Sequence, residues 1–345
     1  MKATMIGLDL AKNVFQIHAV DETGQAVQKK RLTRGGVEKF FAALAPCRIG
    51  MEACAGSHHW ARTLIGLGHE VRIVPPQYVR PYVKTNKNDA ADAAAICEAM
   101  QRPEMRFVPV KSVAQQALLV LHRAREILGR QRVMTINALR GHCAEFGVVV
   151  AQGPRHVSEL LAKLDAPGDD VLPQLVKQTL RTLAAQLRAI ETHLAETDKA
   201  LLAEHRANAA SRRLATIPGI GPITASALVA SIGDAKQFAS GRHLAAWIGL
   251  VPRQHSTGGK TRLGSISKRG DAYLRRLLIH GARSVLRWRR NGHSVGSPWI
   301  MKLIAKKSPN VAATALANKN ARIAWALLTR EEVYTPPAAA EPAPT

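Results

Sequence analysis

Along the first hundred residues the hydrophobic positions fall in short runs. Residues 4–9 and 14–20 alternate or run apolar with β-branched content. Asp21-Glu22-Thr23-Gly24 separates the second run from a basic stretch, Ala26 to Leu32, that can pair with it. The pattern predicts a hairpin or meander at the start of a sheet. Helical periodicity follows over 35–45, then a short strand at Arg48 to Met51 and a helix from His58 to Leu67 ending at Gly68. A strand at Val71 to Val74 is stopped by Pro75-Pro76, and Asn88 to Met100 reads as an alanine-rich helix. Strands first, then alternation with helices, indicate a mixed α/β domain.

Beyond Val113 the period becomes helical, first to about Glu145 and again from Leu172 to about Leu202. In the second stretch Val176, Leu180, Leu183, Leu187, Ile190, Leu194 and Leu201 recur at steps of three and four, broken only at Thr197. That is a coiled-coil seam, expected to close as a hairpin or between chains. From Ala209 onwards the chain predicts a helical, basic domain with glycine-marked turns. The end, Pro336 to Pro342, is a proline/alanine tail expected to be disordered. The resulting division is 1–112, 113–205, 206–333 and a tail at 334–345.

Charge changes the picture. Lys and Arg number 49 against 25 Asp and Glu, a formal +24. So basic a chain calls for a polyanionic partner. From Arg206 onwards there are 22 Lys and Arg against 5 Asp and Glu, so that region holds 17 of the +24. A near-neutral part followed by a cationic one fits catalysis followed by nucleic-acid binding. The four cysteines (Cys47, Cys54, Cys97, Cys143) form no CxxC pair, which supports neither a zinc site nor a disulfide framework and points to a reducing cytoplasm. Asp9 and Lys12 interrupt the first apolar run too early for a signal peptide, and no stretch suits a bilayer span.

Four acids stand out. Asp9 ends one predicted strand and Glu52 another. Asp89 and Asp92 share one face of a helix start, where the macrodipole also favours acids. Hard oxygen ligands converging from strand ends and a helix are what a divalent-metal site for phosphoryl transfer needs. Taken singly, Asp89 could equally be a helix cap, Asp9 an exposed strand end and Glu52 a salt-bridge partner.

The segments Gly7-Leu8-Asp9-Leu10-Ala11-Lys12, Met51-Glu52-Ala53-Cys54-Ala55-Gly56 and Asn88-Asp89-Ala90-Ala91-Asp92-Ala93 resemble the DEDD transposases of the insertion sequence 110 family. The Glu52 motif is most similar to the 1111 subgroup, and the Piv/MooV-like recombinases belong to the same circle. The resemblance implies a RuvC-like (RNase H-like) N-terminal domain in which Asp9, Glu52, Asp89 and Asp92 bind Mg²⁺ (or Mn²⁺).

The basic domain carries two motifs. Thr216-Ile217-Pro218-Gly219-Ile220-Gly221-Pro222 has the form of a helix-hairpin-helix, whose glycines let backbone N–H groups approach a phosphate; the alternative is a helix corner used for packing. Further on, Arg253, Lys260, Arg262, Lys268 and Arg269 lie in a glycine-rich stretch suited to a phosphodiester. It lacks P-loop spacing. Chemistry alone does not choose a nucleophile among Ser256, Ser265 and Ser267. The resemblance does: Gly249-Leu250-Val251-Pro252-Arg253-Gln254-His255-Ser256 is similar to the family segment whose serine attacks DNA, and that serine falls on Ser256. His255, next to it in sequence, is a poor candidate for its base. Tyr273 to Arg290, with Arg275 and Arg276, predicts a basic amphipathic helix contacting nucleic acid.

The resemblance spans roughly residues 4–330 and implies a site-specific transposase of an insertion element. Ser256, activated at a metal held by the four carboxylates, attacks a DNA phosphate and forms a transient phosphoserine link. It further implies double-stranded DNA partners (element ends and target), a structured bridge RNA as guide, and a homo-oligomer (dimer or tetramer) whose protomers share the site. A bacterial, cytoplasmic and nucleoid-associated setting follows. The rival readings are a junction-resolving nuclease with water as nucleophile and a non-catalytic nucleic-acid-binding protein; an actin-like sugar kinase ranks last because no second phosphate-binding glycine motif is found.

Overall fold

The alternating runs of the N-terminal part fold into one five-stranded sheet. Its strands are β1 (Met5–Asp9), β2 (Val14–Val20), β3 (Ala26–Thr33), β4 (Arg48–Glu52) and β5 (Glu70–Val74), in the order β3-β2-β1-β4-β5. β1 and β2 pair antiparallel, as do β2 and β3, whereas β4 runs parallel to both β1 and β5. The computed structural model describes residues 3–83, 89–165, 171–290 and 298–336. The chain divides into two units, Met1–Val113 and Ala114–Thr345.

In the first unit α1 (Val37–Ala42) and α2 (Ser57–Gly66) bring Phe41, Trp60 and Leu64 into the layer formed by Ile6, Leu8, Phe15, Ile17, Ile49 and Met51. α3 (Pro76–Val79) and α4 (Asp89–Met100) lie with Met5, Val20 and Val74 in a second cluster. The predicted helix start at Asn88 lies outside the described residues, and α4 is described from Asp89. Two glycines decide how close α4 comes. Gly7 and Gly50 are paired in register on β1 and β4. A Cβ on Gly7 would stand 2.1 Å from the Ala93 carbonyl oxygen, and one on Gly50 would stand 1.8 Å from Met100 Sδ. The helix therefore rests on bare backbone. Cys97 Sγ fastens it further by donating to the His18 carbonyl at 3.1 Å.

The second unit is helical with two separate cores. The first joins α5 (Val113–Ala144), α6 (Pro154–Asp165) and α7 (Gln174–Ala207) around Leu139, Cys143, Leu160, Leu164, Leu180 and Leu187. Arg125 pairs with Asp198, and Arg132 with Glu191 at 2.8 Å, so α5 and α7 run antiparallel. The α7 seam read from the sequence closes within the chain: Leu180, Leu187, Ile190 and Leu201 are buried. The helix α6 was not foreseen.

The second core gathers α8 (Ala209–Leu214), α9 (Pro222–Ile232), α10 (Gly241–Ile248), α11 (Ala272–Arg290), α12 (Pro298–Lys306) and α13 (Pro309–Arg330). Between α10 and α11 stands a β-hairpin, β6 (Pro252–Gln254) and β7 (Leu263–Ile266), in the stretch read from sequence only as glycine-rich within a helical domain. At the start of the predicted tail, the Tyr334 N–H donates to Thr216 Oγ1 at 3.0 Å. Residues 337–345 of that tail lie outside the described residues.

Candidate active site

Asp9 and Glu52 end neighbouring parallel strands, each one residue beyond the register pair Leu8–Met51. Side chains alternate along a strand, so Asp9 lies on the face of Gly7, which is the face covered by α4. The close seat of α4 then carries the helix start to the same edge. The result is compact: Asp9, Asp89 and Asp92 each offer a carboxylate oxygen, and these oxygens all lie within 4.8 Å of one another. Glu52 stands outside that trio yet is near enough to act on Asp9 electrostatically.

None of Asp9, Asp89 and Asp92 forms an ion pair among the described residues. Burial raises the Asp9 pKa from 3.8 to about 6, with Asp92, Asp89 and Glu52 adding repulsion. Two half-buried carboxylates and the exposed Asp89, close enough to repel one another, fit a hard divalent cation, which would remove the repulsion on binding. The Cys54 thiol feels the same field: partial desolvation, then Glu52 and Asp9, push its pKa up. The His58 of the Glu52 motif serves the scaffold. Its Nδ1 accepts from the Lys111 N–H at 3.2 Å, and burial, with Lys111 and Arg62 nearby, lowers its pKa to about 4.

In the second unit Ser256 sits just before the tip of the β6–β7 hairpin. Gly258 and Gly259 both have positive φ, 55° and 75°, and Thr257 bridges to Lys260 across them. Two consecutive positive-φ residues are what a tight, twist-matched hairpin turn demands. Ser256 is exposed, and its Oγ accepts from the Gln254 side-chain N–H at 2.9 Å and the Arg262 backbone N–H at 3.3 Å. Both contacts are donors, so the hydroxyl proton is free to leave and charge developing on the oxygen is met by N–H groups. Gln254 was not singled out from sequence, although it lies inside the quoted motif. Its position at the end of β6, two residues before Ser256, is the signal that a strand assignment would have exposed. Ser265 is exposed on β7, and the Ser267 hydroxyl is buried with no hydrogen-bond partner among the described residues.

The ten residues read as nucleic-acid contacts separate into groups. Arg253, Lys260, Arg262, Lys268 and Arg269 are exposed. Arg275 is instead half-buried and tied to the backbone, donating at 2.9 Å to the carbonyls of both Ile248 and Arg269. Arg276 pairs with Glu126 at 2.8 Å and lies over the Tyr273 ring. In the Pro218–Gly221 turn, Gly219 (φ 88°) packs against the backbone of Gly281 on α11, where a Cβ would meet the carbonyl oxygen at 2.9 Å. Pro218 offers its carbonyl to the buried Asn320 at 2.9 Å. Gly221 faces open space.

The mixed α/β unit with clustered acids at one sheet edge, and the basic helical unit with its exposed hairpin, are the features the comparisons with known proteins address. Residues 6–146 match the DEDD transposase family of IS110 elements, and residues 211–295 match the family described as "Transposase IS116/IS110/IS902 family". A Pseudomonas aeruginosa protein named "Probable family 20 transposase" is 51% identical over 97% of this chain and all of its own length. The transposase for insertion sequence element IS1111A of Coxiella burnetii is 43% identical over 96% of this chain and 91% of its own. A pilin gene-inverting protein of Moraxella bovis is 28% identical over 75% of each.

The chain belongs to the IS110 family of transposases. Membership implies an RNase H-like fold for the first unit, use of a divalent metal, and DNA as substrate. No helix among the described residues is long and apolar enough to cross a membrane.

Proposed function

We propose that this transposase cuts and rejoins DNA through Ser256, with Asp9, Glu52, Asp89 and Asp92 as the ligands of Mg²⁺ or Mn²⁺. The observation that carries the reading is the convergence of Asp9, Asp89 and Asp92 oxygens within 4.8 Å, three carboxylates at one edge of a transposase domain with Glu52 near enough to repel Asp9. A divalent cation bound there supplies Lewis-acid charge for phosphoryl transfer. In the proposed step Ser256 Oγ bonds to phosphorus as the bond to the leaving deoxyribose oxygen breaks. The serine gives up its proton and the leaving oxygen takes one up. Gln254 and the Arg262 N–H hold Oγ meanwhile, and Arg253, Lys260, Lys268 and Arg269 face the phosphate charge. Pro218, Gly219 and Gly221 form a turn against the duplex backbone, with Gly221 the open position.

The reading requires more than one protomer, with Ser256 of one completing the acids of another, and assigns the 113–205 region to self-association. Support comes from α5, where Val120, Ile127 and Met134 are exposed at steps of seven residues. A structured guide RNA is part of the proposal; the +24 charge is compatible with a second polyanion.

The test is a trapping experiment. The protein, element-end DNA, flanking-region RNA and Mg²⁺ are incubated, and a covalent protein–DNA adduct is sought on a denaturing gel. An adduct that disappears in Ser256→Ala and in Asp9→Ala is the expected result. Cleavage without adduct, unchanged in Ser256→Ala, would assign the chemistry to water and leave the hairpin as a binding element.

A further inference from the structure

The β6–β7 hairpin has a back. Between β7 and one face of α13 lies a cavity of about 740 Å³, walled by Ser265 and Ile266 on one side and Thr314, Lys319 and Arg322 on the other, with Trp299 of α12 as a third wall. The volume falls within the range of sites that enclose a nucleoside-sized group. Its floor is largely apolar, and its only charged walls among the described residues are the cations Lys319 and Arg322, beside the Trp299 ring. Trp299 is 38% exposed, a large apolar ring left partly in water on a strongly basic unit. Lys319 Nζ stands 4.4 Å from the centroid of that ring, so charge and stacking surface form one element. Burial, and Arg322 close by, push the Lys319 pKa down, a penalty that a bound anion would relieve.

The geometry points to a site for an unstacked base of the DNA strand being cut: the base lies against Trp299 and its phosphate meets Lys319 and Arg322. This rests on the reading of the hairpin as the element that handles DNA. It adds that the strand does not stay helical there. The physical case is that a flat apolar face beside two cations matches a base carrying its own phosphate, and every base has a face to stack. A duplex hides those faces. Only a base released from its stack fills the cavity, and a groove that traps it holds the cut strand against the base of the hairpin that carries Ser256. A protein segment would have no use for two cations without acids of its own.

The experiment uses the full-length protein with a short oligothymidylate, its duplex with oligodeoxyadenylate, and oligouridylate, with affinity read by anisotropy. Trp299→Ala is expected to weaken the single strand roughly ten-fold or more, the effect that loss of one stacked base commands. The duplex should be weakened far less. Trp299→Phe should restore most of the single-strand affinity. A misfolded variant would instead weaken all three probes together and fail the Phe rescue. Photocrosslinking of a 5-iodouracil-bearing single strand should map to the peptide containing Trp299.

Equal single-strand affinity of Trp299→Ala and wild type, or crosslinks confined to other peptides, would overturn the proposal. Tighter, Trp299-dependent binding of oligouridylate would overturn the assignment to DNA. The adduct assay keeps this apart from the serine reading. A Ser256→Ala protein that still shows Trp299-dependent stacking leaves the groove intact whatever the nucleophile is.

Discussion

At the scale of single residues the site is built from penalties that a ligand removes. Asp9 has a folded pKa of about 6 against an ordinary 3.8. The native state therefore holds a proton in that window which the unfolded chain has released, and stability from this group falls as pH rises from about 4 to about 6. Asp9→Asn should remove the penalty. Without metal at pH 7 the variant should be more stable by about 1 kcal/mol, a value discounted for the partial solvent exposure of the site. It should also lose the rise in Tm that Mg²⁺ or Mn²⁺ gives wild type. Thermal melts with and without metal at pH 5 and 7 check both; identical metal-induced shifts in the two proteins would remove Asp9 from the site. Metal affinity should fall as pH drops through 6 because Asp9 takes up a proton. A second residue-scale expectation concerns Gln254. Replacing its N–H donor by Gln254→Ala should slow adduct formation about ten-fold, with binding of DNA little changed, since the lost contact is to the serine oxygen alone. An unchanged single-turnover rate would make Gln254 a bystander.

At the scale of elements, what the sequence made legible was whatever repeats at short period. Strands β1 to β5 and helices α4, α5 and α7 follow from alternation and from steps of three and four, because burial on one side imposes those periods. The acids at strand ends were equally legible, since each follows an apolar run. The β6–β7 hairpin was not: its strands are exposed, three and four residues long, and held by the Gly258-Gly259 turn rather than by a buried face. Gln254 was missed for the same reason, whereas Trp299 stands on the apolar face of α12 with Ile300, Leu303 and Ile304 and reads as one more core position. Also hidden was the tight seat of α4, which depends on Gly7 and Gly50 being paired across two strands far apart in sequence. That seat yields a ranked prediction. In Gly7→Ala the new Cβ collides with the Ala93 carbonyl oxygen, which is helix backbone and cannot swing aside. In Gly50→Ala it meets the Met100 side chain, which can. Gly7→Ala should cost about 2 kcal/mol or more, by analogy with overpacked cores, and abolish the metal-induced Tm shift; Gly50→Ala should do less of both. Equal effects in denaturant melts would mean that α4 is not seated as tightly as this.

At the scale of the molecule the excess positive charge must be divided into cations that meet nucleic acid and cations that hold the protein together. Sequence reading grouped Arg275 and Arg276 with the hairpin residues because all lie in one basic region. Their surroundings separate them. Arg275 bonds the Ile248 and Arg269 carbonyls, and Arg276 is paired with Glu126 over Tyr273, whereas Lys260 and Lys268 are exposed and have no ion pair among the described residues. A cation that neutralises a phosphate on binding releases about 0.9 counterion, so it shows in the slope of log affinity against log salt. One already satisfied inside the fold releases little. The double variant Lys260→Gln, Lys268→Gln should therefore lower the slope for duplex DNA by about 2 and leave the melting temperature unchanged. Arg276→Gln should do the reverse, keeping the slope and lowering Tm, because it leaves Glu126 with Arg123 as its remaining partner. Titrations at several salt concentrations, beside melts of the same proteins, separate the two outcomes. Equal loss of slope in both variants would mean that the Arg276–Glu126 pair opens to meet DNA. The joint between α5 and α11 would then be part of the binding surface and not only of the scaffold.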